Sequence, residues 1–465
     1  MKHALFAVAI AAVTATAGCS RSRARTDAAP ADAAAPASAT ASTPPPPRPV
    51  PTQKPIVGLL CESDEGLWRL RPDGGTDPVL AVWPTLDDPT PRSPSSVREG
   101  SVGPDGALYV SATPGILRVG DPMIAPWSFR DEDDKTPRGD RLAFGAQPGG
   151  RFALWDGFHL FESAVFPPTR KEDLAAVTLP AGVTSLLAVA YDARDRLWVA
   201  TTEAVHVRDG NAWSRAELPA YPYVKGLVVW QGVAHVLLMP KLAAYPDDPA
   251  TPKVVAELPG TGETMLVGKR GIVVLLAPAT GKRAGRALVV DGAGQKLLPG
   301  ELDLLIAHDD RGIVWGRHQE GFVAIDGTHR TFWPKGSIPA YSRSFVRYCH
   351  VAGSYDTLPV VSPVRRGGAK GVILRGGKPV ANARIDLCDE LPIHPFTTKT
   401  PCGGYGVSGK TDAAGSFSFE KVPIGKYHVV VDLGDKWKGT GILGSHQLPT
   451  VTEGGVADYE SISLD

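Results

Sequence analysis

Three short clusters in this 465-residue chain hold residue types that could do chemistry. His159-Leu160-Phe161-Glu162 spells H-x-x-E, an imidazole and a carboxylate of the kind zinc recruits. The surrounding GRFALWDGFHLFESAVF alternates like strands, and strand positions three apart point to opposite faces, so the two are not expected to share an ion. Asp131-Glu132-Asp133-Asp134, followed by Asp140, gathers the oxygens a hard cation such as calcium prefers. It lacks the EF-hand spacing and central glycine, so a solvated loop is expected there. His308-Asp309-Asp310 sets an imidazole beside two carboxylates. No HExxH and no GxSxG occurs anywhere. No catalytic residue, no metal ligand and no cofactor is therefore expected.

Five cysteines remain to be explained. The first, Cys19, closes a stretch in which Lys2 and His3 precede an apolar run, Ala4 to Val13, and small residues Thr16-Ala17-Gly18. A polar start, a short apolar core and a small-residue cleavage site are the features of a secretory signal. The run is too short to cross a bilayer, which takes about 20 residues. The junction resembles the lipobox of bacterial lipoproteins, with Thr16 where those proteins usually carry leucine. That resemblance implies cleavage after residue 18, acylation of Cys19 and a membrane partner held through the N-terminal lipid. Residues 19–55 are rich in Ala, Pro, Ser and Thr with almost no large apolar side chains, and are expected to form a disordered tether. Arg21, Arg23 and Arg25 would lie near the headgroups, where they either touch anionic lipid or stay solvated. Ser20 stands where an aspartate retains many lipoproteins at the inner membrane, which favours the outer membrane. In an exported chain the other four, Cys61, Cys349, Cys388 and Cys402, read as two disulfides with three possible connectivities.

Lys+Arg (49) and Asp+Glu (49) cancel, so no net field draws this chain to nucleic acid, and none is expected as a partner. The 51 glycines and 43 prolines punctuate it with turns. Between 56 and 350 those turns recur with a pattern. EGLWRLRPDGGTDPVLAVW (65–83), PDGALYVSATPGILRVGDPMIAPW (104–127), YDARDRLWVATTEAVHVRDGNAW (191–213) and DDRGIVWGRHQEGFVAIDGTHRTFW (309–333) share one order. Each has a turn, a strand with an aromatic anchor, further strand, a second turn and a closing tryptophan. Anchors near 68, 109, 155, 198, 236, 275 and 315 step by about 40 residues, the period of a β-propeller blade. Seven blades are predicted, with His308-Asp309-Asp310 in the inter-blade turn that holds Asp192 and Asp195 in another copy. Most of the ten tryptophans sit at repeat positions, so packing explains them better than a sugar-binding platform. Asp192, Asp195, Leu197, Trp198, Val199, Thr201 and Asp209-Gly210 resemble the propeller repeat of two-component regulator sensors, with Ala200 replacing the usual glycine. The resemblance implies fold, not sensing.

Residues 365–465 read differently. GGAKGVILRGGKPVANARIDLC and KTDAAGSFSFEKVPIGKYHVVVDL alternate at period two around tight glycine turns, predicting a small β-sandwich. Gly371-Val372, Pro379-Val380, Ala383, Thr411-Asp412, Gly415, Phe417, Pro423, Gly425 and Tyr427 resemble the carboxypeptidase regulatory-like domain, a transthyretin-like sandwich. With both domains assigned, Cys388–Cys402 falls inside the sandwich and Cys61–Cys349 would fasten the two ends of the propeller; the alternative for the latter pair is two buried free thiols.

The expected architecture is all-β: signal peptide (1–18), tether (19–55), propeller (56–350), linker (351–364) and sandwich (365–465). Two functions fit it. One is a non-enzymatic lipoprotein whose propeller binds a protein or carbohydrate ligand, with the sandwich as spacer or docking module. The other is a propeller-type lyase or lactonase with a divalent metal at the channel, which requires acidic and histidine side chains from several blades to converge on one mouth.

Overall fold

The computed structural model describes residues 52–464 except 64–65, 84–90, 92–93, 95–96, 113–114, 129–139, 169–170, 220–222, 281–283, 319–320, 339–348, 390–401, 403–404, 435–436 and 440–447. Cys19, the signal, nearly all of the tether and Asp131 to Asp134 lie outside the described residues. What is described is strand, with one 3-10 turn at Lys171–Asp173.

Seven sheets form a propeller ring, all antiparallel except that in blade 2 Ala81–Val82 adds a short parallel pairing to Met123–Ser128. Blade 4 shows the plan: Ala188–Tyr191, Leu197–Ala200, Val205–Asp209 and Ala212–Arg215 pair in order from the axis outward. Trp68, in Gly66–Leu70, lies on the third strand of blade 1; the other six sequence anchors lie on the second strand of a blade, from Tyr109 in Leu108–Ala112 to Trp315 in Val314–His318. That strand is covered by a blade on each face, so it reads as a buried run. Leu197–Ala200 and Gly271–Leu276 are buried throughout, whereas outermost Ala212–Arg215 is mostly exposed. The turn carrying Asp192 or Asp309 therefore joins the inner and second strands of one blade. It is not the inter-blade turn expected from the sequence, because the repeat was phased from the second strand.

Hydrophobic clusters fill the spaces between neighbouring blades. Trp198 and Tyr245 meet between blades 4 and 5 with ring centroids 5.4 Å apart. Trp68, Trp315, Phe322, Trp333 and Tyr355 pack between blades 7 and 1. Burial of each large apolar side chain is worth roughly 1.5–3 kcal/mol.

The ring closes by exchange of a strand. Cys349–Ala352, after the last blade, supplies the inner strand of blade 1 beside Gly58–Ser63. Cys61 and Cys349 stand opposite each other in that register, Cα atoms 4.3 Å apart, and are disulfide-bonded. Beyond residue 352 the chain turns back along the propeller. Tyr355 is buried, its hydroxyl donating to Leu70 O (2.6 Å) and accepting from Leu59 N (2.7 Å).

The C-terminal strands form a sandwich. One sheet holds Lys378–Pro379, Arg366–Arg375, Ser416–Pro423 and Val456–Ser463; the other holds Gly406–Lys410, Arg384–Cys388, His428–Asp432 and Trp437–Gly439. Phe417, Phe419, Tyr427 and Tyr459 fill the space between them. Cys388 and Cys402 are bonded across 14 residues. Arg365 N donates to Gly336 O (3.0 Å), and Lys335 Nζ, after the last strand of blade 7, meets Asp389 Oδ2 at 2.6 Å. Both side chains are buried, and the ammonium lies 4.6 Å from the Tyr427 ring centre. Desolvation offsets much of the attraction in a buried ion pair of this kind.

Candidate mouth of the propeller channel

Polar residues gather where the inner strands begin. Arg98 and Glu99 precede Gly100–Val102 of blade 2, and Asp140 precedes Arg141–Phe144 of blade 3. Lys225 lies at the start of Val224–Trp230, Glu263 at the start of Gly262–Gly268, and His350 at the start of Cys349–Ala352. Neighbouring inner strands run in the same sense, because like ends touch. At the starts, Arg141 Nε donates to Leu187 O (3.1 Å) and Lys225 Nζ reaches Glu263 Oε2 (3.2 Å). At the finishes, Ala193 N donates to Gly232 O (2.9 Å) and Ala146 N to Asp195 Oδ1 (2.9 Å). The charged residues thus share one mouth, called here the lower mouth.

Every carboxylate of this group has a cation on the next blade. Arg141 donates to Glu99 Oε2 at 2.9 Å, Arg98 pairs with Asp140, and Lys225 with Glu263. The side chains of Arg98, Arg141 and Glu99 remain 37–40% exposed. Protein packed around Glu99 raises its carboxyl above the usual range by desolvation, with Arg141 opposing. His350 Nε2 donates to Arg98 O (2.8 Å), and burial lowers its pKa, favouring the neutral ring. Gly100 makes room for that ring, since a Cβ there would fall 2.6 Å from His350 Nδ1. Farther along the inner strands the exposed side chains are apolar, Val102 and Val267 among them.

The opposite end uses acids differently. Asp192 Oδ1 accepts from the backbone N–H of Arg194 (2.9 Å) and Arg196 (3.0 Å); its Oδ2 accepts from Arg196 Nε (2.7 Å) and Trp198 Nε1 (2.8 Å). Asp309 repeats this with Arg311 N, Ile313 N and Trp315 Nε1. His308 Nδ1 lies 3.2 Å from Gly271 O, and Asp310 pairs with Lys269. The His308-Asp309-Asp310 trio is therefore turn architecture.

The H-x-x-E residues do not share a strand, so alternation does not decide their separation: the strand Leu160–Ser163 begins after His159. Glu162 accepts from Tyr191 OH (2.6 Å), Arg208 and Arg151, stitching blade 3 to blade 4, while His159 is exposed on the preceding turn. Asp140, the described member of the acidic stretch, is held by Arg98. Among the described residues no group of three or more His, Cys, Asp or Glu is placed to hold a metal ion. Sequence reasoning singled out none of Arg98, Glu99, Arg141, Lys225, Glu263 and His350. Their one signal is spacing: Glu99 and Arg141, like Lys225 and Glu263, stand about one repeat apart.

No protein-family model and no curated protein matches the chain. Among solved structures it is similar to the extracellular domain of a B. thetaiotaomicron one component system protein (11% identity, TM-score 0.41, covering 85% of this chain and 57% of that one). It is also similar to virginiamycin B lyase from Staphylococcus aureus (11% identity, TM-score 0.36, 56% of this chain and 91% of that one). A third is PorZ, a surface component of the type-IX secretion system of Porphyromonas gingivalis (14% identity, TM-score 0.38, 84% and 46%). The chain spans just over half the length of the first of these. At this level of similarity, ligand and chemistry do not carry across, and what stands is the chain's own architecture: a seven-bladed propeller joined to a sandwich and closed by a disulfide.

Proposed function

We propose that this chain is a non-enzymatic envelope lipoprotein, tethered through Cys19, that binds its ligand at the lower mouth of the propeller. The observation that carries the reading is the set of half-exposed ion pairs joining blades 2 to 3 and 5 to 6 at that mouth. Exposed pairs contribute little to folding, about 0–1 kcal/mol each, so they can be rearranged around a ligand at small cost. A lyase or lactonase would need carboxylates and imidazoles free to hold a divalent ion. Glu99 and Asp140 are instead each committed to a guanidinium, and His350 to a backbone carbonyl, which favours binding. Two disulfides fit an oxidising compartment outside the cytoplasm. The sandwich, held on blade 7 by Lys335 and Asp389, serves as a docking module.

The reading is tested with full-length protein in detergent, incubated with an envelope extract. The wild type retains a component that Arg141→Ala loses. Equal retention by both, or turnover of a small substrate without retention, overturns it. Anchoring is read separately, as incorporation of an alkynyl palmitate that Cys19→Ala abolishes; equal labelling of the variant sinks the lipid assignment.

A further inference from the structure

Beside the lower mouth is an aromatic ridge that the packing does not use. Phe158, at the tip of the Asp156–His159 turn, is 80% exposed, the most exposed large apolar side chain among the described residues. His159 follows, its side chain 70% exposed, and the half-buried ring of Phe161 comes next. Ring centroids step 6.5 Å from Phe158 to His159 and 6.1 Å from His159 to Phe161. The turn is held rigidly. Asp156 Oδ1 accepts from Phe158 N (2.8 Å) and His159 N (2.6 Å), and Gly157 takes φ +97°. A Cβ at Gly157 would fall 2.7 Å from Asp140 Oδ2, so the ridge adjoins the Arg98–Asp140 pair and the Glu99–Arg141 pair behind it.

We infer that this ridge and the two adjoining ion pairs form a subsite for an uncharged saccharide. The inference rests on the lower mouth being the ligand site and names the class of ligand. Exposed single apolar residues are common and mean nothing alone. Here a row of rings stands next to four planar polar groups that already neutralise one another. A ligand of one charge sign meets two cations and two carboxylates here and gains no net attraction from them. A polyhydroxylated ligand needs none. Its hydroxyls can donate to remaining carboxylate lone pairs and accept from remaining guanidinium N–H groups, while the C–H face of a sugar ring lies on an aromatic ring. The rigid turn means that little side-chain and backbone freedom is lost on binding.

The test is affinity electrophoresis of full-length protein in neutral detergent through native gels containing dextran, mannan, xylan or mixed-linkage β-glucan, with polyglutamate and polylysine as charged probes. At least one neutral polymer should retard the wild type, and equally at about 0.05 and 0.5 M salt, because no ion pair is exchanged. Phe158→Ala should weaken that retardation by about tenfold, and Phe158→Trp should restore it. Retardation by no neutral polymer, or undiminished retardation of Phe158→Ala, overturns the inference. Salt-sensitive binding of a charged polymer alone also overturns it. If the envelope component of the preceding test is still lost on Arg141→Ala, the mouth stands and the saccharide falls; if that component is not retained either, both fall.

Discussion

The two ends of the propeller channel carry similar acidic residues put to opposite uses. At the upper end Asp192 and Asp309 are almost wholly buried, and each serves two backbone N–H groups and the indole of the second-strand tryptophan. At the lower end Glu99, Asp140 and Glu263 are partly exposed and face cations across a blade interface. A buried carboxylate with three or four donors is part of the frame: remove it and buried backbone and indole N–H groups lose the acceptor that satisfies them. A half-exposed carboxylate facing a half-exposed cation can exchange its partner for water or ligand at little cost. Burial and partner set the role, and residue type does not.

This contrast breaks most readily at Asp192. Asp192→Ala takes the carboxylate from the largely buried Arg196 guanidinium, which keeps a carbonyl contact to Asp247 O (3.1 Å), and from Trp198 Nε1, and should cost about 3–5 kcal/mol by urea unfolding. A loss below about 1 kcal/mol would mean the upper acids are not frame elements. Asp309→Ala strands two backbone donors and an indole but no buried cation, so about 1–3 kcal/mol is expected in the same assay. Arg141→Ala at the lower mouth should change stability by under about 1 kcal/mol while abolishing retention of the envelope component; a destabilisation matching that of Asp192→Ala would make the mouth structural.

The smallest effect is a slope with pH. Because the folded state raises the Glu99 carboxyl above its ordinary value of 4.5, the fold favours its protonated form. Its contribution is most favourable below that ordinary value and is lost as pH rises through the raised folded value. The melting temperature of Glu99→Gln minus that of wild type should therefore climb as pH rises from about 4 to 7. A flat or falling difference would show that the Glu99 carboxyl is not desolvated.

The legible part of the fold was the second strand of blades 2 to 7. Trp155, Trp198 and Trp315 stand out because these strands are packed on both faces, and large rings recur at a near-constant period; the Trp68 anchor sits one strand farther out, because the inner strand of blade 1 comes from the far end of the ring. Inner strands were harder to see: Gly100–Val102, Arg141–Phe144 and Leu304–His308 share no common residue, since one edge of each faces the channel. Without them the repeat is phased one strand late, which puts Asp309 in a turn between blades although it lies within one. The parallel pairing of Val456–Ser463 with Arg366–Arg375 was likewise hidden, because alternation announces a strand without naming its neighbour.

Period, turn glycines and the count of cysteines were determined by the sequence alone, because they reflect forces acting within a few residues: backbone conformation, alternation of faces and burial of rings. Tertiary structure decided which strand lines the channel, how Cys349 meets Cys61 across 288 residues, and which charges Arg98, Arg141 and Lys225 neutralise. Those contacts join residues a blade or a whole ring apart, and only closure of the ring brings them within reach.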